Sequence, residues 1–174
     1  MKTVTKIALA AAGLAGLTTF NLLFRKKLMF PSPHPLSESG NEVEDKKLSI
    51  YSAGHRLYGE LLLPKNGKAK HPTVVCSHGF NGSYRYFRDG VGMMLAMSGY
   101  AVYCFDFYGG SQFGRSGGKT TEMSVFFERE QLDGVIEYIK AQPFCDRENL
   151  FLWGESQGGF VTAITAARHT EDIK

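Results

Sequence analysis

The sequence predicts an α/β fold built on a central parallel sheet. Three short apolar segments have the composition of strands that are buried on both faces: Thr73–Ser77, Ala101–Asp106 and Asn149–Trp153. Helical patterns separate these segments, so successive strands are joined by crossovers and run parallel. The third strand leads into a glycine-rich serine turn, and that turn begins a further helix.

Two helices are expected between the strands. The first spans about residues 86–98 and is closed by Gly99 as a C-cap. The second spans Ser124–Gln142, with Ser124 suited to the N-cap position. The apolar residues of the second helix recur at helical spacing: Phe127, Leu132, Val135, Ile136 and Ile139.

Upstream of the parallel strands, the pattern predicts an antiparallel hairpin. Its strands are Lys47–Tyr51 and Leu57–Leu63, joined by a turn at residues 52–55. The chain has 174 residues, 43% of them hydrophobic, which is enough for one domain with its own core. We expect this domain to comprise residues 42–174.

Charge and cysteine content exclude several classes of function. Five of the 20 lysines and arginines lie in residues 1–27, so the remainder is close to neutral and no nucleic-acid partner is indicated. The three cysteines have no C-x-x-C spacing, which supports neither a disulfide framework nor a metal site. Two of them, Cys76 and Cys104, lie in predicted buried strands.

The N-terminal segment, residues 1–29, has the pattern of a membrane anchor. Eighteen uncharged residues from Ile7 to Phe24 lie between basic flanks, which is the lower limit for crossing a bilayer. No small-residue cleavage site follows, which favours an uncleaved anchor over a signal peptide and secretion. Both flanks are basic, so the side of the membrane stays open. Residues 30–41 contain three prolines and are expected to be a linker.

The serine turn carries the strongest chemical signal. Its sequence is Gly154-Glu155-Ser156-Gln157-Gly158-Gly159, between a predicted strand and a predicted helix. A serine on such a turn has a strained backbone, and Gly154, Gly158 and Gly159 allow strand and helix to pack closely. Because the hydroxyl lies at a helix N-terminus, we predict that Ser156 is a nucleophile.

A second loop is expected beside that serine. His78-Gly79-Phe80 follows the first central strand, and the carboxyl ends of parallel strands meet at one edge of the sheet. The backbone N–H groups of Phe80 and Gln157 are therefore predicted to hold the oxyanion of a reacting ester. We expect His78 to hold its loop rather than act as the base.

The other histidines are poor candidates for a catalytic base. His169 lies thirteen residues along the chain from Ser156, roughly 20 Å away if the helix continues. The remaining three are expected to be solvated in loops: His34, His55 and His71.

A nucleotide site is not supported. Residues 114–120 resemble part of a phosphate-binding loop, but that motif needs glycine at the position of Phe113. No helix is predicted to begin at Lys119 either.

Taken together, the motifs resemble the N-terminal half of an α/β-hydrolase, from about Lys47 to the end. The matching residues follow the third, fourth and fifth strands: His78-Gly79-Phe80, Phe105-Asp106-Phe107 with Gly114-x-Ser116-Gly117, and the serine turn. The resemblance implies strand order 1-2-4-3-5 with an antiparallel second strand. Within the superfamily, the amino-acid sequence of these motifs is most similar to that of bacterial cinnamoyl or feruloyl esterases and serine-aminopeptidase-like hydrolases.

The resemblance also implies an activity. A serine hydrolase of this family cleaves an ester through an acyl-enzyme on the nucleophile, without metal or organic cofactor, and Asp106 and residues 114–118 would shape the pocket rim. A peptidase of the same fold is the alternative, and a non-catalytic, decayed fragment is a second.

The family places its catalytic acid and histidine after the nucleophile, in the order Ser…Asp/Glu…His. Only eighteen residues follow Ser156, and one helix uses them. We therefore expect a truncated chain whose triad acid and histidine lie outside it. By itself this chain should be inactive or nearly so.

Overall fold

The computed structural model describes residues 40–174, which form a five-stranded sheet between two layers of helices. In pairing order the strands are β1 (Val43–Lys47), β4 (Gly59–Pro64), β6 (Ala101–Phe105), β5 (His71–Ser77) and β7 (Cys145–Gly154). A separate hairpin contains β2 (Ile50–Ser52) and β3 (His55–Leu57). Strands β5, β6 and β7 are parallel, and β4 is antiparallel to β1 and β6. The predicted α/β class, strand order and antiparallel second strand are confirmed.

Within residues 40–174, four helices cover the sheet: α1 (Arg85–Arg88), α2 (Val91–Met97), α3 (Val125–Lys140) and α4 (Gln157–Ala166). Adjacent strand residues point to opposite faces, so Val75 packs in the core under α3 and α4, while Val74 packs in the core under α1 and α2. Both cores are apolar, which explains why the central strands lack polar alternation.

The predicted N-terminal hairpin was wrong in its bounds. Residues 43–47, rather than 47–51, form the edge strand β1, and the second predicted strand is divided between β3 and β4. The tight turn at Ala53 (φ 48°) and Gly54 (φ 78°) closes only the small β2–β3 hairpin. Strand β1 was missed because charged side chains are typical of exposed sheet edges and hide the apolar alternation.

The predicted helix over residues 86–98 is two helices. They approach so closely that a Cβ on Gly92 would lie 2.7 Å from the carbonyl oxygen of Phe87. The C-terminal end agrees with the prediction. Gly99 has φ +104°, and the N–H groups of Gly99 and Tyr100 bond to the carbonyls of Ala96 and Leu95, as in a Schellman motif.

The predicted anchor at residues 7–24, and the linker up to residue 39, lie outside the described residues. Among residues 40–174, no helix combines the length and apolarity needed to cross a bilayer.

In the described part of the chain, the outer edge of β7 is paired at one point. Ile173 forms a parallel bridge with Leu150, and the Lys174 N–H donates to the Leu150 carbonyl at 3.0 Å. After α4 the chain therefore returns beside β7, in the direction that a further parallel strand would take.

The N-cap of α3 provides a test of local stability. The Ser124 hydroxyl accepts the N–H of Phe127 at 3.2 Å, as the sequence predicts. Replacing Ser124 by alanine leaves that N–H without its side-chain acceptor, which should lower the free energy of unfolding by about 1 kcal/mol. Urea denaturation would measure the change, and Thr121→Ala on the exposed turn before α3 is the control. An equal effect of both substitutions would contradict the N-cap assignment.

Candidate active site

Ser156 lies between the end of β7 and the first residue of α4. Its φ of 54° and ψ of −123° belong to a region that side-chain-bearing residues rarely adopt. The residue is exposed, and its hydroxyl has no hydrogen-bond partner within residues 40–174. The predicted strand–serine–helix turn is therefore present, with its hydroxyl free to meet a ligand.

Glycines allow the backbones around Ser156 to meet. A Cβ on Gly158 would overlap the carbonyl oxygens of Ser77 and His78, and a Cβ on Gly154 would overlap the first turns of α4. A Cβ on Gly159 would lie 3.2 Å from the Gly154 carbonyl oxygen, a milder contact. The three glycines therefore leave room for close backbone contacts around the turn.

The loop after β5 contacts the serine directly. A Cβ on Gly79 would lie 2.9 Å from the Ser156 Cβ, and the Glu155 N–H donates to the Ser77 carbonyl at 3.2 Å. Phe80 follows Gly79. Within residues 40–174, neither the Phe80 N–H nor the Gln157 N–H has a hydrogen-bond acceptor. The two predicted oxyanion donors therefore have unused N–H groups on segments that meet at Ser156.

His78 is buried and holds this loop in place. The Phe107 N–H donates to its Nε2 at 3.1 Å, so that nitrogen is unprotonated and Nδ1 donates to the Gly79 carbonyl at 2.8 Å. Burial lowers the pKa of His78, which favours the neutral ring. With both nitrogens occupied, His78 has no free nitrogen to take the Ser156 proton, which agrees with the structural role predicted for it.

Asp106 joins two loops under the site. One carboxylate oxygen accepts the Tyr84 N–H at 2.7 Å, and the other accepts the Arg115 N–H at 2.7 Å. Burial raises the pKa of Asp106, and these two N–H donors oppose that rise. Its carbonyl also accepts the Ser116 hydroxyl at 2.6 Å. Asp106 thus anchors the loops from below, deeper than the rim position that the sequence suggested.

Glu128 is the residue that sequence reasoning missed. Its side chain, in the first turn of α3, is 1% exposed and accepts the Gln157 side-chain amide at 2.7 Å. Burial raises the pKa of Glu128 to about 7, and the bond from Gln157 opposes that rise. A signal was present: Glu128 is in helical register with Leu132 and Val135, so it is a charged residue on the buried stripe.

None of the four histidines in residues 40–174 bonds to Ser156. His169 lies 2.9 Å from an Asp133 oxygen, and His55 stacks on Tyr108 at 3.8 Å. His71 is buried in β5, so its prediction as a solvated loop residue was wrong; Pro72 and the polar loop before it hid the start of the strand. None of these four histidines is therefore placed to accept a proton from the Ser156 hydroxyl.

One group in the described part of the chain has metal-ligand spacing: Glu137, His169 and Asp172. The Lys140 ammonium lies 2.7 Å from Asp172, and thus already supplies a positive charge to this group. The group belongs to the C-terminal ends of α3 and of the chain rather than to the serine turn.

Sequence comparison relates the chain to a known family. The family described as "Serine aminopeptidase, S33" (Hydrolase_4) matches residues 68–174. A thiohydrolase of Aspergillus aculeatus is 32% identical over 116 residues, which are 66% of this chain and 34% of that protein. Caffeoylshikimate esterase of Arabidopsis thaliana is 29% identical over 127 residues, 70% of this chain and 36% of the relative.

Solved structures give the same fold. Est1E from Butyrivibrio proteoclasticus, determined with ferulic acid bound, is 29% identical with a TM-score of 0.65, covering 73% of this chain and 49% of that one. Dienelactone hydrolase from Anabaena variabilis is 20% identical with a TM-score of 0.59, covering 76% and 61%, and is similar in fold. The chain spans about a third of the length of its curated relatives.

Two glycines of the serine turn should respond differently to the same substitution. Gly158→Ala places a methyl group against backbone carbonyls of β5, which cannot move without displacing the sheet. It should lower the free energy of unfolding by about 3 kcal/mol or prevent folding. Gly159→Ala, with its milder contact, should change it by about 1 kcal/mol or less. Thermal unfolding of both variants makes the comparison, and equal stabilities would contradict the close packing at Gly158.

The buried carboxyl of Glu128 should make stability depend on pH. Its pKa of about 7 exceeds the usual 4.5, so the folded state binds this proton more tightly than the unfolded state. The stability that proton binding by Glu128 contributes is therefore complete below about pH 4.5 and is lost as the pH rises through about 7. Glu128→Gln removes the titration and keeps an acceptor, so the variant should gain stability relative to the wild type, on the order of 2 kcal/mol between pH 5 and 8.

Urea denaturation at the two pH values measures that difference. Glu130→Gln, an exposed position on the same helix, is the matched control and should show no such gain. A constant difference between Glu128→Gln and the wild type would contradict the raised pKa.

Proposed function

Since the chain belongs to the serine aminopeptidase S33 family of α/β-hydrolases, we propose that it is the nucleophile-bearing part of a serine hydrolase that cleaves carboxylic esters. The observation that carries this proposal is the geometry at Ser156. An exposed serine in a strained backbone conformation lies at the N-terminus of α4, beside two N–H groups that lack acceptors within residues 40–174.

In the proposed mechanism, the Ser156 hydroxyl oxygen attacks the ester carbonyl carbon. The carbonyl oxygen becomes negative and accepts hydrogen bonds from the N–H groups of Phe80 and Gln157. Loss of one such donor costs about 3 kcal/mol of transition-state stabilisation in a serine protease. The C–O bond to the alcohol then breaks, and the serine proton passes through a base to the leaving alcohol. Water hydrolyses the acyl-enzyme by the reverse transfer and restores the serine.

The proposed base lies outside these 174 residues. The histidines of residues 40–174 are held elsewhere, so we assign the base to a histidine, and its partner to an Asp or Glu, beyond Lys174 in the order of the family. The bridge between Ile173 and Leu150 supports a further parallel strand beside β7. Strands added there would direct their loops to the carboxyl edge that holds Ser156.

An ester with an apolar or aromatic acyl group is the substrate class that we propose. Phe80 and Phe113, on the two loops that follow β5 and β6, are 60% and 73% exposed and could cover such a group. The relatives include a thiohydrolase, a caffeoylshikimate esterase and an enzyme solved with ferulic acid. A peptidase is the second candidate, favoured by the description of the family.

Residues 7–24 are proposed to attach the enzyme to a membrane.

The proposal is tested on the product of the complete reading frame, read past the codon for Lys174. That protein should hydrolyse aryl esters and be labelled by a fluorophosphonate, and Ser156→Ala should abolish labelling and lower kcat by at least about 10³-fold. Ser98→Ala, at the exposed end of α2, is the control and should retain both. The 174-residue chain alone should show little or no labelling.

Three results would contradict the proposed function. Labelling that persists in Ser156→Ala would remove the serine from the mechanism. Faster cleavage of aminoacyl anilides than of aryl esters would replace the esterase by the peptidase. A stop codon directly after Lys174 would withdraw the ester-hydrolase function for this chain.

A further inference from the structure

Gln157 has two polar groups with different surroundings. Its backbone N–H, at the first position of α4, lacks an acceptor within residues 40–174, whereas its side-chain amide donates to Glu128 at 2.7 Å. N–H groups in the first turn of a helix have no partner one turn earlier, so the helix itself does not hold them in place. The bond to Glu128 reaches across to α3 and restrains this residue from outside its own helix.

Stability alone does not explain Glu128. A carboxyl group that is 1% exposed loses its hydration, and in the described residues a single side-chain donor, Gln157, compensates it. Its raised pKa reflects this cost. An apolar residue at this position of the stripe would pack against the core without the penalty. Retaining a costly polar group beside the serine turn is typical of a residue that serves a site.

The next turn of α3 is linked to the loop that carries the other candidate donor, the Phe80 N–H. The Gln131 side-chain oxygen accepts the Tyr108 N–H at 2.8 Å. The preceding N–H, that of Phe107, donates to His78, whose ring holds the carbonyl of Gly79. Short chains of hydrogen bonds therefore connect the beginning of α3 to both oxyanion donors.

We propose that Glu128 is a positioning residue that holds the Gln157 N–H in place relative to the Phe80 N–H. This inference rests on the proposed function of Ser156 for its catalytic consequence. Its structural part, the restraint of the first turn of α4, is independent of any activity. Glu128 does not touch the substrate in this proposal, since it acts through the side chain of Gln157.

The first experiment measures the restraint directly on this chain. Backbone ¹⁵N relaxation should give the Gln157 amide an order parameter near the rigid value of about 0.85 in the wild type, falling toward about 0.6 in Glu128→Leu. Glu128→Gln keeps an acceptor oxygen, so this variant should retain the wild-type order parameter. Glu130→Leu, exposed on the same helix, should leave it unchanged.

The second experiment measures catalysis in the product of the complete reading frame. Glu128→Leu and Gln157→Leu should each lower kcat for an aryl ester about 10- to 100-fold, with KM within about twofold, because the interaction acts on the transition state. The double variant should be no slower than either single variant, since both substitutions remove the same hydrogen bond between Glu128 and Gln157. Glu128→Gln should remain within about threefold of the wild type.

The outcomes separate the two proposals. A folded Glu128→Leu chain with an unchanged Gln157 order parameter overturns the restraint. Should that variant fail to fold, Gln157→Leu removes the same hydrogen bond. Unchanged order parameters of the neighbouring Ser156 and Gly158 amides in that variant then overturn the restraint. Loss of the restraint without loss of kcat overturns the catalytic role. A wild-type enzyme without ester turnover overturns the proposed function, and the relaxation result still decides the restraint.

Discussion

The close approach of backbone segments at Ser156 is the constraint on which the rest of the structure depends. Gly158 lies against the carbonyls at the end of β5, and Gly79 lies against Ser156 itself. Side chains at these positions would separate β5 from α4, and the segments that carry the Phe80 and Gln157 N–H groups would move apart. The strained serine costs on the order of 1–3 kcal/mol, which the apolar core under α3 and α4 must offset.

Buried polar groups carry this constraint into the loops. His78, Asp106 and Glu128 are nearly or fully buried, and each bonds to a loop or turn that borders the serine. Burying such groups costs free energy unless their bonds are made, so each favours one loop conformation over its alternatives. The apolar cores stabilise the sheet, and the polar interior determines where the loops at its carboxyl edge lie.

How much of this the sequence could predict depends on how local each signal is. The central strands and the serine turn have short, contiguous patterns, and the structure agrees with them. Strand β1 has no such pattern, because four of its five residues are charged and an exposed edge strand lacks the apolar run of a buried one. The break before α2 depends on a contact between Gly92 and Phe87, which spacing along one helix does not show.

The buried polar residues that hold the loops were harder still to predict from the sequence. Asp106 was assigned to the rim because its position after a strand is visible in the sequence, whereas its two backbone partners are distant in the chain. Glu128 could have been found from its register on the buried stripe, but its partner Gln157 is brought to it only by the packing of α3 on α4. Long-range pairing of this kind needs the fold.

The division between nucleophile and base follows from the same geometry. In the proposed mechanism, the residues described here supply the attacking hydroxyl and the two N–H groups, and these lie on the segments around β5, β7 and the start of α4. Proton transfer needs groups from further strands, which in the proposed protein lie beside β7, where Ile173 already pairs with Leu150. One event, the addition of strands to that edge, would then both cover the exposed edge of the sheet and bring the base to Ser156. On this proposal, the nucleophile and the oxyanion donors are organised by the strands described here, and the base is added by the strands that follow.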